Sequence, residues 1–344
     1  MTMTSIPPAR TANRGGTGTA TPSAPGVRAL GWYVVRQHRT TAWIAAALFL
    51  AFAGALVWLH GAMGDFIDTH RLLAACDAVE CDGSSAKVAE FRSSYGDYLH
   101  YMGLLLEFLP ALLAAFVAGP MVARELESGT YKVAWSQSGS PMRWFAAKLA
   151  LPAVAALAGV SVLAALYTWC WRVVGDREGG DVLLPGQVWH QSFNALGPAP
   201  VVLALAGVAV GALVGLLVKR TLPAMIVALL GVGAVTAVTG ALRQYLVTPV
   251  TTMSADMPGL LGNRTWWFER GMVGPSGGHI VEPDCGIGVS PAQCLVDRGA
   301  SGWYIDSHPY SHLWPMQWVQ AGGVTVLAVL LAAGALWWMR RTHN

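Results

Sequence analysis

Four groups of residues have types and spacings that could do chemistry. The first is the polar run Gly119-Pro-Met-Val-Ala-Arg124-Glu125-Leu-Glu127-Ser-Gly129-Thr-Tyr131-Lys132, held between two long apolar stretches. Its charges interleave with Leu126, Tyr131, Val133 and Trp135. Such a segment offers a soluble partner both ionic and apolar grip, although charges of this kind are also the ordinary content of a solvated loop. The second is Glu107, inside Gly103-Leu-Leu-Leu-Glu107-Phe-Leu-Pro110. A carboxylate at membrane depth costs about 2.5–3.5 kcal/mol on insertion scales, so it must face protein or water. It is either a pathway residue meeting a cationic or polar solute, or a structural acid, protonated or paired with Arg243. Pro110, one turn on, frees a backbone carbonyl and kinks the helix there.

The third group is the cysteines. Cys76 with Cys81 and Cys285 with Cys294 form two close pairs, and Cys170 stands alone in an apolar stretch. Zinc sites want tighter clusters of Cys and His, so two local disulfides in an oxidising compartment are the expectation. The fourth is His308-Pro-Tyr-Ser-His312. Two His at i and i+4 can share an ion on a helix, but Pro309 opposes a regular helix and no third ligand is spaced nearby. They read as loop histidines. There is no His-Glu-x-x-His or Cys-x-x-Cys, so the chain offers no enzyme site, and no metal site is assigned.

The elements that position these groups follow from composition. Of 344 residues, 54% are hydrophobic and 12% charged, with a mean hydropathy of +0.46. Soluble domains carry about 25% charged residues, so lipid is the solvent this surface requires. Crossing a core of about 30 Å takes roughly 20 apolar residues. Six stretches qualify, near 42–59, 101–122, 145–171, 193–218, 222–246 and 318–339. The expected fold is an all-α integral membrane protein of six transmembrane helices. Residues 42–344 form that domain, with outer loops at 60–100, 172–192 and 247–317.

Charge sets the orientation. Lys and Arg concentrate in both termini and in the short loops after spans 2 and 4, where Glu125 and Glu127 are the only acids. The positive-inside rule then places both termini in the cytoplasm. The net charge of +3 hides a basic inner and an acidic outer face, which gives nucleic-acid binding no support. Residues 1–26, rich in Thr, Ala, Pro and Gly, read as a disordered tail. Residues 27–41 mix Leu30, Tyr33 and Val34 with Arg28, Arg36 and Arg39. They suit either an interfacial amphipathic helix or a basic flank anchoring span 1.

The loop at 60–100 carries a helical-looking stretch near Ser85–Tyr95. The long loop at 247–317 holds Trp266, Trp267, Phe268, Trp303, Tyr304, Tyr310 and Trp314 among many Gly and Pro, which suggests a folded cap or interfacial helices. Pro120 and the polar run end span 2, Gly129 bends the segment after it, and Arg143, Trp144 and Lys148 anchor span 3.

The run Ala123-Arg-Glu-Leu-Glu-Ser-Gly-Thr-Tyr131, with Trp135-Ser-Gln137, Arg143-Trp144 and Lys148, resembles the inner loop of ABC-2-type transporter permeases, especially actinobacterial ones. Arg124-Glu125, Gly129 and Tyr131 are also similar to the coupling-helix region of G-subfamily ABC exporters. The resemblance extends to the architecture: connecting helix, six spans, a coupling helix between spans 2 and 3, and an outer elaboration between spans 5 and 6. It implies a permease subunit of an exporter in the plasma membrane, dimerising with a second copy or a paralogue. ATP, with Mg, is then hydrolysed on a separate cytoplasmic subunit. The absence of a Gly-x4-Gly-Lys-Ser/Thr loop is consistent with this. Arg124, Glu125, Glu127, Gly129, Tyr131 and Lys132 become the coupling residues, and span 2 the route of motion towards Glu107. The alternative is a membrane-anchored sensor or assembly protein with a ligand-binding outer loop. The residues leave the substrate open.

Overall fold

The computed structural model describes residues 39–72, 86–138, 140–177, 183–184, 188–255, 264–281 and 289–343. The chain divides into two units, Met1–Ala42 and Trp43–Asn344, and the architecture below is that of the second. The tail and nearly all of the expected connecting helix lie outside the described residues.

Among the described residues, six helices are long and apolar enough to cross a membrane. Span 1 is α1 (Arg39–His70). Span 2 is one continuous rod assembled from α2 (Ala86–Phe91), a π turn (Arg92–Gly96), α3 (Asp97–Leu112), a second π turn (Leu113–Ala118) and α4 (Gly119–Ser128). The helix-like stretch expected near Ser85–Tyr95 is therefore part of span 2. Pro120 does not end that span. It lies two residues after the π turn Leu113–Ala118, inside the continuous rod, where the widened backbone accommodates a residue with no N–H, and the helix runs on to Ser128. It stops at Gly129, whose φ of 73° supplies the left-handed C-terminal residue.

A short α5 (Tyr131–Ser138) follows. Span 3 is α6 (Pro141–Gly175), opened by the Ser140 hydroxyl, which accepts from the Arg143 N–H at 3.2 Å. After α7 (Val188–Gln191), spans 4 and 5 are α8 (Ala199–Val218) and α9 (Thr221–Leu242), joined by a turn in which Lys219 takes a φ of 57°. Span 6 is α11 (Leu313–His343). Several helices outrun their apolar windows, because polar residues at the ends continue the helix beyond the membrane core.

The segment between spans 5 and 6 corrects the all-α expectation. It folds into a four-stranded antiparallel sheet in the order β1-β4-β2-β3. The strands are β1 (Val250–Ser254), β2 (Thr265–Val273), β3 (His279–Val281) and β4 (Gly302–Pro309), with α10 (Pro291–Arg298) between β3 and β4. Met272, Cys294 and Trp303 form its small core. Trp303 belongs to this core, whereas Trp266, Phe268, Tyr310 and Trp314 pack with the main bundle cluster.

Span 4 is the centre of the bundle. Some 61% of its apolar window is buried, against 11% for spans 1 and 5. It packs on α11, α9, α6 and span 2. Gly207, Gly211 and Gly215 lie on its contact with span 2. A Cβ on them would sit 2.5, 2.6 and 2.6 Å from the carbonyl oxygens of Pro110, Ala114 and Gly119 respectively. Small residues at four-residue spacing allow this backbone approach. The span 2 partners are spaced four residues and then five. The wide turn at Leu113–Ala118 supplies the extra residue, so the two helices stay in step across three contacts.

Candidate functional site

The polar segment forms an elbow, α4–Gly129–α5, at the end of the bundle opposite the sheet. Its side chains divide into two sets. Glu125 turns inward. One carboxylate oxygen accepts from the Trp144 indole N–H at 2.8 Å, and the other pairs with the Lys148 ammonium at 2.6 Å. Both ionic side chains are largely covered, so this is a clamp between α4 and α6. Glu127 reaches sideways: its carboxylate accepts from the Thr221 backbone N–H at 2.9 Å and the Thr221 hydroxyl at 2.6 Å. It thus caps the first turn of α9, whose own N-cap residue, Arg220, makes no side-chain cap.

Arg124 and Lys132 are exposed and form no ion pair with any described residue. The apolar side of the elbow is an aromatic stack. Tyr131 meets Trp135 edge-on at 4.6 Å, and Trp135 meets Trp144 at 6.2 Å. Val122, Phe145, Leu216 and Met339 pack with them. One elbow therefore touches spans 3, 4, 5 and 6. Alternation of charge along a sequence does not say which carboxylates face inward, so the internal roles of Glu125 and Glu127 were not legible. Trp144 and Lys148, expected as interfacial anchors of span 3, also serve as the inward partners of Glu125.

Glu107 is half-buried on α3, about 27 Å along span 2 from Glu125 at the α-helical rise. It lies within electrostatic reach of Arg243 but makes no ion pair with it. Arg243 is 5% exposed. It donates to the Asn194 side-chain oxygen at 2.8 Å and to the His190 carbonyl at 3.5 Å, and its guanidinium lies 4.1 Å from the Phe193 ring centroid. The paired-acid alternative for Glu107 is thus not the arrangement found. Gln320 shares the Asn194 oxygen at 3.3 Å, and Gln317 donates to the Phe193 carbonyl while accepting from the Ala199 N–H. Isolated Asn and Gln near span ends gave no sequence signal for this cluster. The Gly-x3-Gly-x3-Gly spacing at 207, 211 and 215 is the sequence signal of the span 2–span 4 contact.

Outside the spans, His190 stacks on Trp266 at 3.9 Å. Burial, then the charges of Arg243 and His308, push its pKa down to about 4. His308 is fully buried, and burial lowers its pKa also. Its Nε2 faces the Gln244 carbonyl at 3.1 Å and its Nδ1 the His312 Nδ1 at 3.1 Å. The carbonyl can only accept, so Nε2 carries the proton and His312 donates to Nδ1. The two histidines do meet, but as a hydrogen-bonded pair with no third ligand among the described residues. Cys294 is buried and is not a free thiol. Cys76, Cys81 and Cys285 lie outside the described residues.

The model of a family described as ABC-2 membrane transporter related matches residues 46–243, more than half the chain. The chain belongs to that family. The match runs from span 1 to the end of span 5, so the elbow, Glu107, Arg243 and the glycine contact fall inside it, while the sheet and span 6 fall outside. No curated protein and no solved structure matches. Membership and the six apolar helices make this ABC-2-related chain a multi-pass plasma-membrane protein and a permease component of a transporter.

Proposed function

We propose that this permease is the membrane subunit of an ABC exporter, driven by ATP and Mg held on a separate cytoplasmic ATP-binding subunit that docks on the α4–α5 elbow. A second copy or a paralogue completes the transporter. The observation that carries this is the division of labour in the elbow. Arg124 and Lys132 are left to solvent, while Glu125, Glu127 and the Tyr131–Trp135–Trp144 stack fasten the same short segment to four spans. Gly129 sets the angle between its two arms. A partner that displaces the exposed arm moves the bundle through the clamps, and span 2 conveys the motion to Glu107. That is rigid-body switching between two states.

With the elbow cytoplasmic, the sheet is outside the cell, and the pairs Cys76–Cys81 and Cys285–Cys294 close there as disulfides. Thiol labelling of the unreduced protein should then find Cys170 alone; labelling of all five cysteines would sink the pairing.

The test of the exporter reading separates grip from transmission. Charge reversal of Arg124 and Lys132 should abolish co-purification of the ATP-binding subunit. Glu125→Gln should leave the complex intact and lower transport-coupled ATP hydrolysis. A chain that functions with no ATPase partner, or a complex indifferent to Arg124 and Lys132 reversal, would favour the sensor alternative instead.

A further inference from the structure

The extracellular sheet holds a second cluster of donor groups, unrelated to the elbow. Glu269 on β2 and Asp306 on β4 stand directly opposite each other in the antiparallel register. Two like charges at opposed positions destabilise a sheet. No Lys or Arg among the described residues pairs with either carboxylate. The basic neighbour in β2, Arg270, points to the other face and lies over Trp267. What stands beside the two acids is His279 of β3. One donor atom from each of Glu269, His279 and Asp306 can be chosen so that all lie within 4.8 Å of one another.

The surroundings hold these groups in place. The Tyr304 hydroxyl donates to Glu269 at 2.9 Å, and the Thr251 hydroxyl donates to Asp306. Each carboxylate is thereby oriented by one oxygen, and its other oxygen has no hydrogen-bond partner among the described residues. The His279 ring stacks on Tyr304 with centroids 3.7 Å apart. Gly271 makes this possible. It lies between Glu269 and Val273 on β2 and pairs with Tyr304 and Val281. A Cβ there would meet the Ile280 carbonyl oxygen and come within 2.8 Å of the Tyr304 ring. The Tyr304 ring leans across the space a side chain would fill.

We propose that Glu269, His279 and Asp306 form a three-ligand site for a divalent transition-metal ion of the zinc type. One imidazole and two carboxylates suit such an ion, with water completing the tetrahedron. Donors around a tetrahedral zinc lie roughly 3.3–3.5 Å apart at Zn–N and Zn–O lengths of about 2.0–2.2 Å. Small side-chain rotations close the present spacing. The Tyr304 and Thr251 hydroxyls are the outer hydrogen bonds that ligating carboxylates require. The ion would cancel the opposed charges and tie β2, β3 and β4 together at one point.

The test uses the full-length protein in lipid nanodiscs, stripped with chelator and titrated with Zn2+ against a fluorescent zinc indicator. One zinc per chain is expected, with affinity reduced at least tenfold by His279→Ala, Glu269→Gln or Asp306→Asn. His312→Ala should leave affinity unchanged, because the His308–His312 pair is the other place where imidazoles meet. Asp306→Asn preserves shape, so its loss of zinc-induced thermal stabilisation separates metal binding from folding. Unchanged affinity in all three ligand variants, loss in His312→Ala, or preference for Ca2+ over Zn2+ would each overturn the assignment.

Discussion

Replacing Gly211 by Ala tests whether the close contact of spans 2 and 4 is what holds the bundle together. A helical Gly→Ala change normally stabilises by about 1 kcal/mol, because Ala forms helix more readily. At Gly211 the new methyl would lie 2.6 Å from the Ala114 oxygen, 2.9 Å from the Ala118 Cβ and 3.0 Å from the Ala114 Cα. Ordinary contact begins at 3.4 Å, so the two backbones must part by about 0.8 Å. Overpacking of this size costs about 1–3 kcal/mol.

The parting also loosens the neighbouring approaches at Gly207 and Gly215. Gly233 and Gly240 on α9 are the controls, since nothing lies within 4 Å of a Cβ at either. The expected outcome is a divergence: the controls neutral or up to about 1 kcal/mol more stable, and Gly211→Ala, its propensity gain outweighed by overpacking, up to about 2 kcal/mol less stable. Reversible denaturant unfolding in mixed micelles measures this. If Gly211→Ala behaved like Gly233→Ala, the contact would not be tight in the folded protein, and the role given to the five-residue spacing in span 2 would fall with it.

Acidification should weaken the sheet end. His190 is held neutral with a pKa of about 4, below the unfolded value of about 6.5. The unfolded chain therefore takes up a proton first, and stability falls as the pH drops from about 6.5 to about 4, by about 3 kcal/mol at most; melting at pH 7 and pH 5 should differ less in His190→Gln. Glu125→Gln, which keeps an acceptor for Trp144 but loses the Lys148 ion pair, should cost about 1 kcal/mol. A double-mutant cycle with Lys148→Met should show coupling, and its absence would remove the clamp from the account. Lys219→Gly relieves a left-handed backbone and should raise stability by about 1 kcal/mol, measured by the same unfolding assay.

The spans were legible because lipid demands long apolar runs, and the elbow because charges are scarce between them. Hydropathy does not see where a helix continues past the lipid, which is why span 2 runs through Pro120 to Ser128 and begins as early as Ala86. The sheet was hidden for another reason. Its strand order pairs β1 with β4 across nearly the whole loop, a non-local choice that Gly- and Pro-rich flanks do not encode locally. The bulge between Trp267 and Glu269 further breaks the two-residue alternation by which a strand is recognised. At the elbow, residue types were readable but aim was not: Glu125 and Lys132 look alike as exposed charges until α6 is brought alongside.

One consequence of the strand order concerns how the bundle can open. β1 begins five residues after the turn Arg243–Tyr245 that closes span 5, and β4 runs directly into the turn Tyr310–His312 that begins span 6. These two strands are ladder partners, from Val250 with Ser307 to Ser254 with Trp303. Spans 5 and 6 are therefore spliced at this end by a run of backbone hydrogen bonds, like two legs joined by a hinge pin. They cannot splay there without unzipping the ladder. Any relative swing between them must have its widest excursion at the far end, where Lys219 turns the chain and Glu127 grips Thr221, so the motion is largest where the elbow can drive it.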